Sequence, residues 1–334
     1  MKKFLAVLLA ALMTASVLTA CGGSDTPPAD KGETPVEAPK GGDLKFTTGG
    51  DQGTYYGFGS VVAGQVSNST ATTVTAITSG GSQANIETME DGDAQLGFVQ
   101  SDVMAYAYNG TNLFDGAAVT DISTVAALYM EQVQIVTCDP DIKTVADLKG
   151  KNVSVGAPGS GVFYNAVDIL GAYQLDVEKD ITATYESFGD SAESLKDGKI
   201  DAAFVVAGAP TTAITSLATS KPVYLVSLDD AHIDALIAAS PYYSKYVIPA
   251  DAYGLDVDTN TVAVGAVVIA RDDVSEEDVY NFVSGIFENM ETIAAAHGKG
   301  NELNLDFAAS VTAVPYHAGA VKYFGEKGIT VPAK

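Results

Sequence analysis

The feature that most constrains this chain is a short apolar strand that runs through a glycine turn directly into a helix, and it occurs twice. The first copy is residues 46–59 (FTTGGDQGTYYGFG) and the second is residues 153–164 (VSVGAPGSGVFY). Glycine lets a backbone approach a guest closely, and the first N–H groups of a helix have no acceptor within that helix. Each copy therefore predicts a binding site for a carboxylate or phosphate group at a helix N-terminus.

A second motif repeats at nearly the same spacing. Residues 87–99 (ETMEDGDAQLGFV) resemble residues 193–205 (ESLKDGKIDAAFV). The first of these segments follows the first strand-turn-helix copy, and the second follows the second copy. The repetition predicts two similar halves of mixed strands and helices that face each other across a cleft, with both glycine-opened helix ends pointing into it. The alternative is that these are ordinary glycine turns that bind nothing.

The N-terminal residues predict export from the cytoplasm. Residues 1–20 have a basic start followed by an apolar run, as in a secretory signal peptide. The ending LTACG resembles a lipobox, which predicts lipidation of Cys21; a plain signal peptide or an uncleaved anchor is the alternative. Residues 21–43, rich in Pro, Gly and charged side chains, predict a flexible linker. We therefore expect an extracytoplasmic protein that a lipid tethers to a membrane, at a cell surface or in a periplasm.

Composition excludes several classes of function. The chain has 42 Asp and Glu against 18 Lys and Arg, a formal net charge of −24, so nucleic acid is excluded as a partner. Cys138 is the only cysteine after Cys21, which rules out a disulfide within the mature chain and a thiolate metal cluster. His232, His297 and His317 are not spaced as metal ligands, and phosphate-binding and serine-hydrolase motifs are missing. We expect no metal, no cofactor and no catalytic residues.

Two apolar strands are predicted to cross between the halves. Val133–Val136 is interpreted as the outward crossing and Val262–Ile269 as the return. An amphipathic helix is predicted from Ser275 to Ala296. The predicted domains are the signal peptide at 1–20, the lipidated cysteine and linker at 21–43, lobe 1 at 44–135 with 265–334, and lobe 2 at 136–264.

With these motifs in view, the chain resembles the TAXI family of TRAP transporter solute receptors from about Leu44 to Pro332. The motifs that carry the resemblance are TGGDQGTYY (48–56), SGG (79–81) with Asn85, VQSD (99–102), GAPGSG (156–161), AGAPT (207–211), and PYHAGA (315–320) with Tyr323, Glu326 and Gly328. Ala318 departs from the proline that the family usually has. Val162 departs from a common threonine and removes a possible ligand hydroxyl.

The resemblance implies a fold and a function. The implied fold is α/β, a two-lobed periplasmic-binding-protein fold of type II, in which each lobe is a mixed sheet flanked by helices and the ligand lies in the cleft. The implied function is capture of a small carboxylate or amino acid, such as glutamate, glutamine or 2-oxoglutarate, and its delivery to membrane permease subunits. The alternatives are the binding component of another uptake system, a chemoreceptor or adhesin module, and a secreted enzyme.

The predicted ligand-binding residues lie at helix starts and strand ends in both halves. They are Gly50, Gly53, Thr54, Tyr55, Tyr56, Ser79, Gly80, Asn85, Gln100, Ser101, Asp102, Ser160, Gly161, Val162, Phe163, Gly208, Pro210 and Thr211. Helix capping is the alternative role for Ser101 and Asp102, and packing is the alternative for the aromatic residues. We expect one tyrosine of the pair at 55 and 56 to face the ligand and the other to be core.

The arginine count limits the chemical class of the ligand. Arg271 is the only arginine, and we expect it to be a solvated charge at a helix start rather than a cleft residue. Two helix N-termini at roughly half a positive charge each would then neutralise one carboxylate, and a ligand ammonium group would lie near Asp102. The hypothesis is an α-amino acid or a monocarboxylate, held by backbone N–H groups at 53–55 and 160–162. His317 is expected to be structural.

Overall fold

The computed structural model describes residues 41–334. The predicted signal peptide, Cys21 and all but the last three residues of the predicted linker lie outside the described residues. The first strand begins at Asp43, and the N–H of Gly41 already bonds to the carbonyl of Ala71 at 3.1 Å. Among the described helices, none combines the length and apolar character that crossing a bilayer requires.

Within the described residues, ten strands form one mixed sheet. The strands are β1 (Asp43–Thr47), β2 (Thr73–Ile77), β3 (Leu96–Gln100), β4 (Ile122–Thr137), β5 (Asn152–Ser154), β6 (Thr182–Thr184), β7 (Ala202–Ala207), β8 (Tyr224–Leu225), β9 (Ser244–Ile248) and β10 (Thr259–Arg271). Their order is β2-β1-β3-β10-β4-β7-β5-β6, with β8 beside β4 and β9 beside β10.

The long strands β4 and β10 hold this sheet together. They pair antiparallel with each other; β10 also pairs with β3 over Ala266–Ala270, and β4 pairs with β7 over Gln132–Thr137. Most buried side chains before and after these crossings pack in different clusters, and Tyr164 is the residue that joins a cluster of the other half. We call residues 41–131 and 265–334 the first half and residues 132–264 the second half. Whether the halves are separate lobes with the predicted boundaries stays a prediction.

Eleven α-helices in the described residues flank the sheet. They are α1 (Thr54–Ser69), α2 (Ser82–Glu90), α3 (Ser101–Asn109), α4 (Val162–Ala172), α5 (Phe188–Asp197), α6 (Thr212–Ala218), α7 (Asp230–Ala239), α8 (Glu276–Phe287), α9 (Met290–Ala296), α10 (Leu305–Ala308) and α11 (Ala318–Glu326). Four of them, α1, α2, α4 and α5, begin on the same side of the molecule at the cavity described below.

The predicted helix from Ser275 to Ala296 is wrong in one respect, because the structure divides it into α8 and α9. Ser275 caps α8 as predicted, its hydroxyl accepting from the N–H of Asp278 at 3.0 Å. Asn289 leaves the helical conformation, with φ −128° and ψ 25°, and its side chain donates to the carbonyl of Gly285 at 3.0 Å. A side chain that bonds to a nearby helix carbonyl competes with the next helical turn, and here it ends α8.

Candidate ligand-binding site

A cavity lies between the two halves, at the ends of several strands and the starts of four helices. The space inside it is about 560 Å³, including the part open to solvent. The lining residues are Gly49, Gly50, Gly53, Thr54, Tyr55, Ser79, Gly80, Gly81, Ser82, Gln100, Glu131, Ala157, Ser160, Gly161, Val162, Ser187, Phe188, Val206 and Ala207.

Helix N-termini form much of the cavity wall. Gly53, Gly81 and Gly161 precede α1, α2 and α4, and Ser187 precedes α5. Three of these cap positions lack a side chain, so no cap side chain accepts from the N–H groups of the first helical turn. Gly81 also has φ +116°, a backbone conformation that favours glycine. The partial positive charges of four helix ends therefore meet at one cavity.

The two halves contact each other directly around the cavity. The hydroxyl of Thr54 donates to the carbonyl of Gly208 at 3.0 Å. The N–H of Ala84 donates to the carbonyl of Gly159 at 3.0 Å, and the N–H of Ala213 donates to that of Gln52 at 3.2 Å. The structure is therefore a closed arrangement in which both halves bond across the cavity.

Ten of the predicted ligand-binding residues line the cavity, and the structure brings together both glycine turns. They are Gly50, Gly53, Thr54, Tyr55, Ser79, Gly80, Gln100, Ser160, Gly161 and Val162. The other eight do not line it: Tyr56, Asn85, Ser101, Asp102, Phe163, Gly208, Pro210 and Thr211. Tyr55 faces the cavity and Tyr56 is half-buried outside its wall.

Asn85 and Ser101 support the wall from behind. The buried amide of Asn85 donates to the carbonyls of Thr48 and Phe98, both at 2.6 Å, which ties the ends of β1 and β3 together. The hydroxyl of Ser101 accepts from the N–H of Gly265 at 3.1 Å. Both side chains thus fix the backbone on which the lining residues sit.

Gly208 and Thr211 form a tight corner after β7. The carbonyl of Gly208 accepts from the hydroxyl of Thr211 at 3.1 Å, and that hydroxyl in turn accepts from the amide of Gln134 at 2.9 Å. A Cβ at Gly208 would lie 2.3 Å from Cε of Lys299, so glycine allows this side chain to approach the backbone closely. Lys299 is buried and bonds to Glu302 at 2.5 Å.

Asp102 lies behind the wall rather than in it. It is fully buried, and its carboxylate accepts from the N–H of Val103 at 2.9 Å and from Nδ2 of Asn165 at 3.0 Å. Burial raises the pKa of Asp102 to about 6, against the lowering effect of these hydrogen bonds. An ammonium group in the cavity would therefore not meet Asp102 directly.

Nine lining residues were not among the predicted ligand-binding residues, and Glu131 is the one of them with a charged side chain. It lies in β4, is 2 % exposed, and accepts from the hydroxyl of Tyr55 at 2.9 Å. Burial raises the pKa of the Glu131 carboxyl well above its usual range, against the lowering effects of the Tyr55 hydrogen bond and of Lys299. The signal in the sequence is a single charged residue within the apolar run of β4.

Two buried polar atoms in the wall have no hydrogen-bond partner within the described part of the chain: Oε1 of Gln100 and Oγ of Ser160. Gln100 is 2 % and Ser160 is 6 % exposed. Arg271 lies elsewhere, where it donates to Asp273 at 2.9 Å and to the carbonyl of Met89 at 3.4 Å. The lining residues include no lysine or arginine, so in the described site an anion would meet helix N-termini instead.

The fold has counterparts among solved structures. MatC from Rhodopseudomonas palustris with bound malate is 14% identical, with 81% of this chain and 90% of that chain covered and a TM-score of 0.55. A protein of Bordetella bronchiseptica RB50 is 17% identical, with coverages of 85% and 88% and a TM-score of 0.52. The alkanesulfonate-binding protein SsuA from Xanthomonas axonopodis pv. citri bound to MOPS is 15% identical, with coverages of 86% and 91% and a TM-score of 0.49.

These likenesses concern the fold. The α/β fold of a type II periplasmic binding protein, which the sequence predicts, is confirmed. A family model covers nearly all of the described residues, since it matches residues 46–328. The chain belongs to the NMT1-like family.

Proposed function

We propose that this protein is the extracytoplasmic solute receptor of a TRAP transporter of the TAXI type. It captures a small carboxylate or amino acid in the cavity and delivers it to membrane permease subunits. The observation that carries the proposal is the meeting of four helix N-termini at one cavity between two halves. The fold and the sequence resemblance support it.

The charges around the cavity favour a ligand with one carboxylate. Helix N-termini, at roughly half a positive charge each, attract the anion without a cationic side chain. Glu131 provides an acceptor for a cationic group, a role that the sequence hypothesis gave to Asp102. An α-amino acid offers both groups, whereas a second carboxylate would add negative charge beside Glu131.

Ligand capture would use the motion of the two halves as lobes, with lobe 1 at 44–135 and 265–334 and lobe 2 at 136–264. The hydrogen bonds from Thr54 to Gly208 and from Ala84 to Gly159 then form on closure. Binding in the micromolar range, roughly −8 kcal/mol, is sufficient to drive such a change. A lipid on Cys21 would hold the receptor near the permease.

Identification of the bound molecule tests this function. The full chain is purified without denaturation, and mass spectrometry identifies any small molecule that is released from it. Calorimetry then measures binding of the L-amino acids, their deaminated counterparts and short dicarboxylates. We expect an amino acid or monocarboxylate to bind tightly. Tight binding of a dicarboxylate with no binding of any amino acid, or the appearance of a reaction product, would overturn the proposal.

A further inference from the structure

We infer that Asp102, acting through Asn165, fixes the amide of Gln100 so that its oxygen faces the cavity, and that the ligand carries an N–H or O–H donor for that oxygen. Gln100 is then the residue that determines specificity, and Asp102 and Asn165 are positioning residues. The inference rests on the proposed function, because it concerns the ligand of the same cavity.

The first step is the position of the Gln100 amide. Gln100 ends β3, lines the cavity and is almost fully buried. A Cβ built on Gly161 would lie 1.8 Å from Oε1 of Gln100, so this oxygen lies at the N-terminus of α4, within the cavity wall. Within the described residues it has no hydrogen-bond partner. A buried acceptor without a partner is unfavourable until something donates to it.

The second step is the orientation of Asn165. An ionised carboxylate only accepts hydrogen bonds, so Asp102 requires the NH₂ side of the Asn165 amide. Nδ2 of Asn165 donates to Asp102 at 3.0 Å and to the hydroxyl oxygen of Tyr243 at 2.9 Å. The oxygen of the Asn165 amide is thereby turned toward Gln100.

The third step follows from the second. Because Oδ1 of Asn165 only accepts, Gln100 must present its own NH₂ group there, and Nε2 donates to it at 3.0 Å. The remaining atom of the Gln100 amide, Oε1, is left at the cavity as an acceptor. Asp102, which does not line the cavity, thus determines that Gln100 presents a hydrogen-bond acceptor to the cavity rather than a donor.

The ligand chemistry is a consequence of this polarity. An ammonium or hydroxyl group can donate to Oε1, whereas an oxo group would place a second acceptor against it. A site built to receive a donor discriminates strongly against an analogue that lacks one. These hydrogen bonds also connect the two halves behind the cavity wall, since Gln100 and Asp102 belong to the first half and Asn165 and Tyr243 to the second. The polarity is therefore defined when the halves are together.

Two matched series of small acids test the inference on the full chain by calorimetry. One series is L-alanine, L-lactate and pyruvate, and the other is L-glutamate, 2-hydroxyglutarate and 2-oxoglutarate. Within each series only the group on the α-carbon changes. For the unmodified protein we expect the amino and hydroxy acids to bind more tightly than the oxo acid.

Asp102→Asn is the informative variant, because the introduced amide can donate to Asn165 and so permits both amides to reverse. We expect the ratio of the oxo-acid to the amino-acid dissociation constant to fall about tenfold. Asp168→Asn is the matched control. Asp168 accepts from the hydroxyl of Tyr243 at 2.9 Å but makes no hydrogen bond to Asn165, so the ratio should stay unchanged.

Gln100→Met provides a second test that does not depend on Asp102→Asn being folded. It removes Oε1, so amino-acid binding should weaken about tenfold while oxo-acid binding changes little. A merely structural role of these residues would weaken both acids equally, and an unchanged ratio in both variants overturns the inference alone. If neither series binds to the unmodified protein, the same amino, hydroxy and oxo series is built on the acid that mass spectrometry identifies; if no small acid binds at all, the proposed function fails and this inference fails with it.

Discussion

At Gly161 the missing side chain allows the Gln100 amide to approach the start of α4 closely. A Cβ there would lie 1.8 Å from Oε1 of Gln100, so the Gln100 side chain would have to move. We expect Gly161→Ala to displace the Gln100 amide, weaken ligand binding at least about tenfold, and destabilise the fold by about 1–3 kcal/mol. Calorimetry and urea denaturation measure the two effects.

Gly171 provides a control in the same helix. A Cβ at Gly171 meets nothing within 4 Å, so Gly171→Ala should leave binding unchanged and stabilise α4 by up to about 1 kcal/mol. If both alanine variants bind the ligand like the unmodified protein, the close approach at Gly161 has no role in recognition.

Glu131 is the second residue whose substitution separates recognition from folding. Glu131→Gln keeps an acceptor for the Tyr55 hydroxyl and removes a carboxylate that is costly to bury. We expect the melting temperature not to fall and the affinity for an α-amino acid to fall about tenfold, because the amide cannot ionise beside a bound ammonium group as the carboxyl can. Tyr55→Phe, which leaves the carboxylate in place, should have a smaller effect on affinity. Equal losses in the two variants would contradict a direct role for Glu131.

Some residues of the site could be predicted from local sequence patterns, and others could not. Gly53 and Gly161 precede helices directly, which is a local signal, and both line the cavity. Glu131 reaches the cavity because β4 pairs with β10 and β7 along its length, a long-range fact that no local pattern contains. Asp102 follows a strand end and resembles a ligand residue locally, but Asn165 from the second half covers it.

Among the elements, the start of α8 is joined to the starts of β1 and β2 by one carboxylate. Asp278 accepts from the N–H of Gly42 at 2.8 Å, from the hydroxyl of Thr72 at 2.6 Å and from that of Ser275 at 2.7 Å. Burial raises the pKa of Asp278, but these hydrogen bonds outweigh it and lower the pKa below its ordinary value of 3.8. The Asp278 carboxylate therefore holds together three elements that are distant in sequence.

We expect Asp278→Asn to lower the free energy of unfolding by about 1–2 kcal/mol at pH 7. A carboxyl whose pKa is lowered by folding stabilises the protein above its unfolded-state value and loses that effect as the pH falls through its folded-state value. The gap between variant and unmodified protein should therefore close as the pH falls below about 4. Denaturation by urea across this range measures it. Glu277→Gln, in the same helical turn but exposed, should show no such gap. A gap for Asp278→Asn that is as large at pH 3 as at pH 7 would contradict the assignment.

The order of elements was largely predictable, and their lengths were less so. Both strand-turn-helix copies and the crossing strands are where the sequence pattern places them. The apolar run at 223–228 forms only two strand residues, because β8 pairs with β4 solely through Val136 and Thr137. β9 was missed; it pairs with β10 alone and is mostly exposed, so its hydrophobic pattern is weak.

On the scale of the whole molecule, burial of carboxylates makes stability depend on pH near neutrality. The pKa of Asp102 is raised to about 6 by burial, from an ordinary value of 3.8. A carboxyl whose pKa folding raises favours the folded state at low pH, and this contribution is lost as the pH rises through the folded-state value. Glu131 acts in the same direction, while carboxyls with lowered pKa values stay ionised in this range.

Burial lowers the pKa values of His297 and His317, which opposes this contribution between pH 7 and pH 5. We therefore expect Asp102 alone to raise the free energy of unfolding by about 1 kcal/mol over that range, measured as the difference from Asp102→Asn. Urea denaturation at several pH values measures the slope, and Asp102→Asn should reduce it. A slope that is identical in the unmodified protein and this variant would show that Asp102 titrates in the folded protein as it does in the unfolded chain.

The sharing of β4 and β10 has a consequence for how the protein melts. Each of the two strands contributes backbone hydrogen bonds and core side chains to both halves of the molecule. Unfolding of one half would therefore remove strand pairing and packing from the other. Heating the ligand-free protein should then give a single heat-absorption peak whose calorimetric and van't Hoff enthalpies agree, rather than two successive steps.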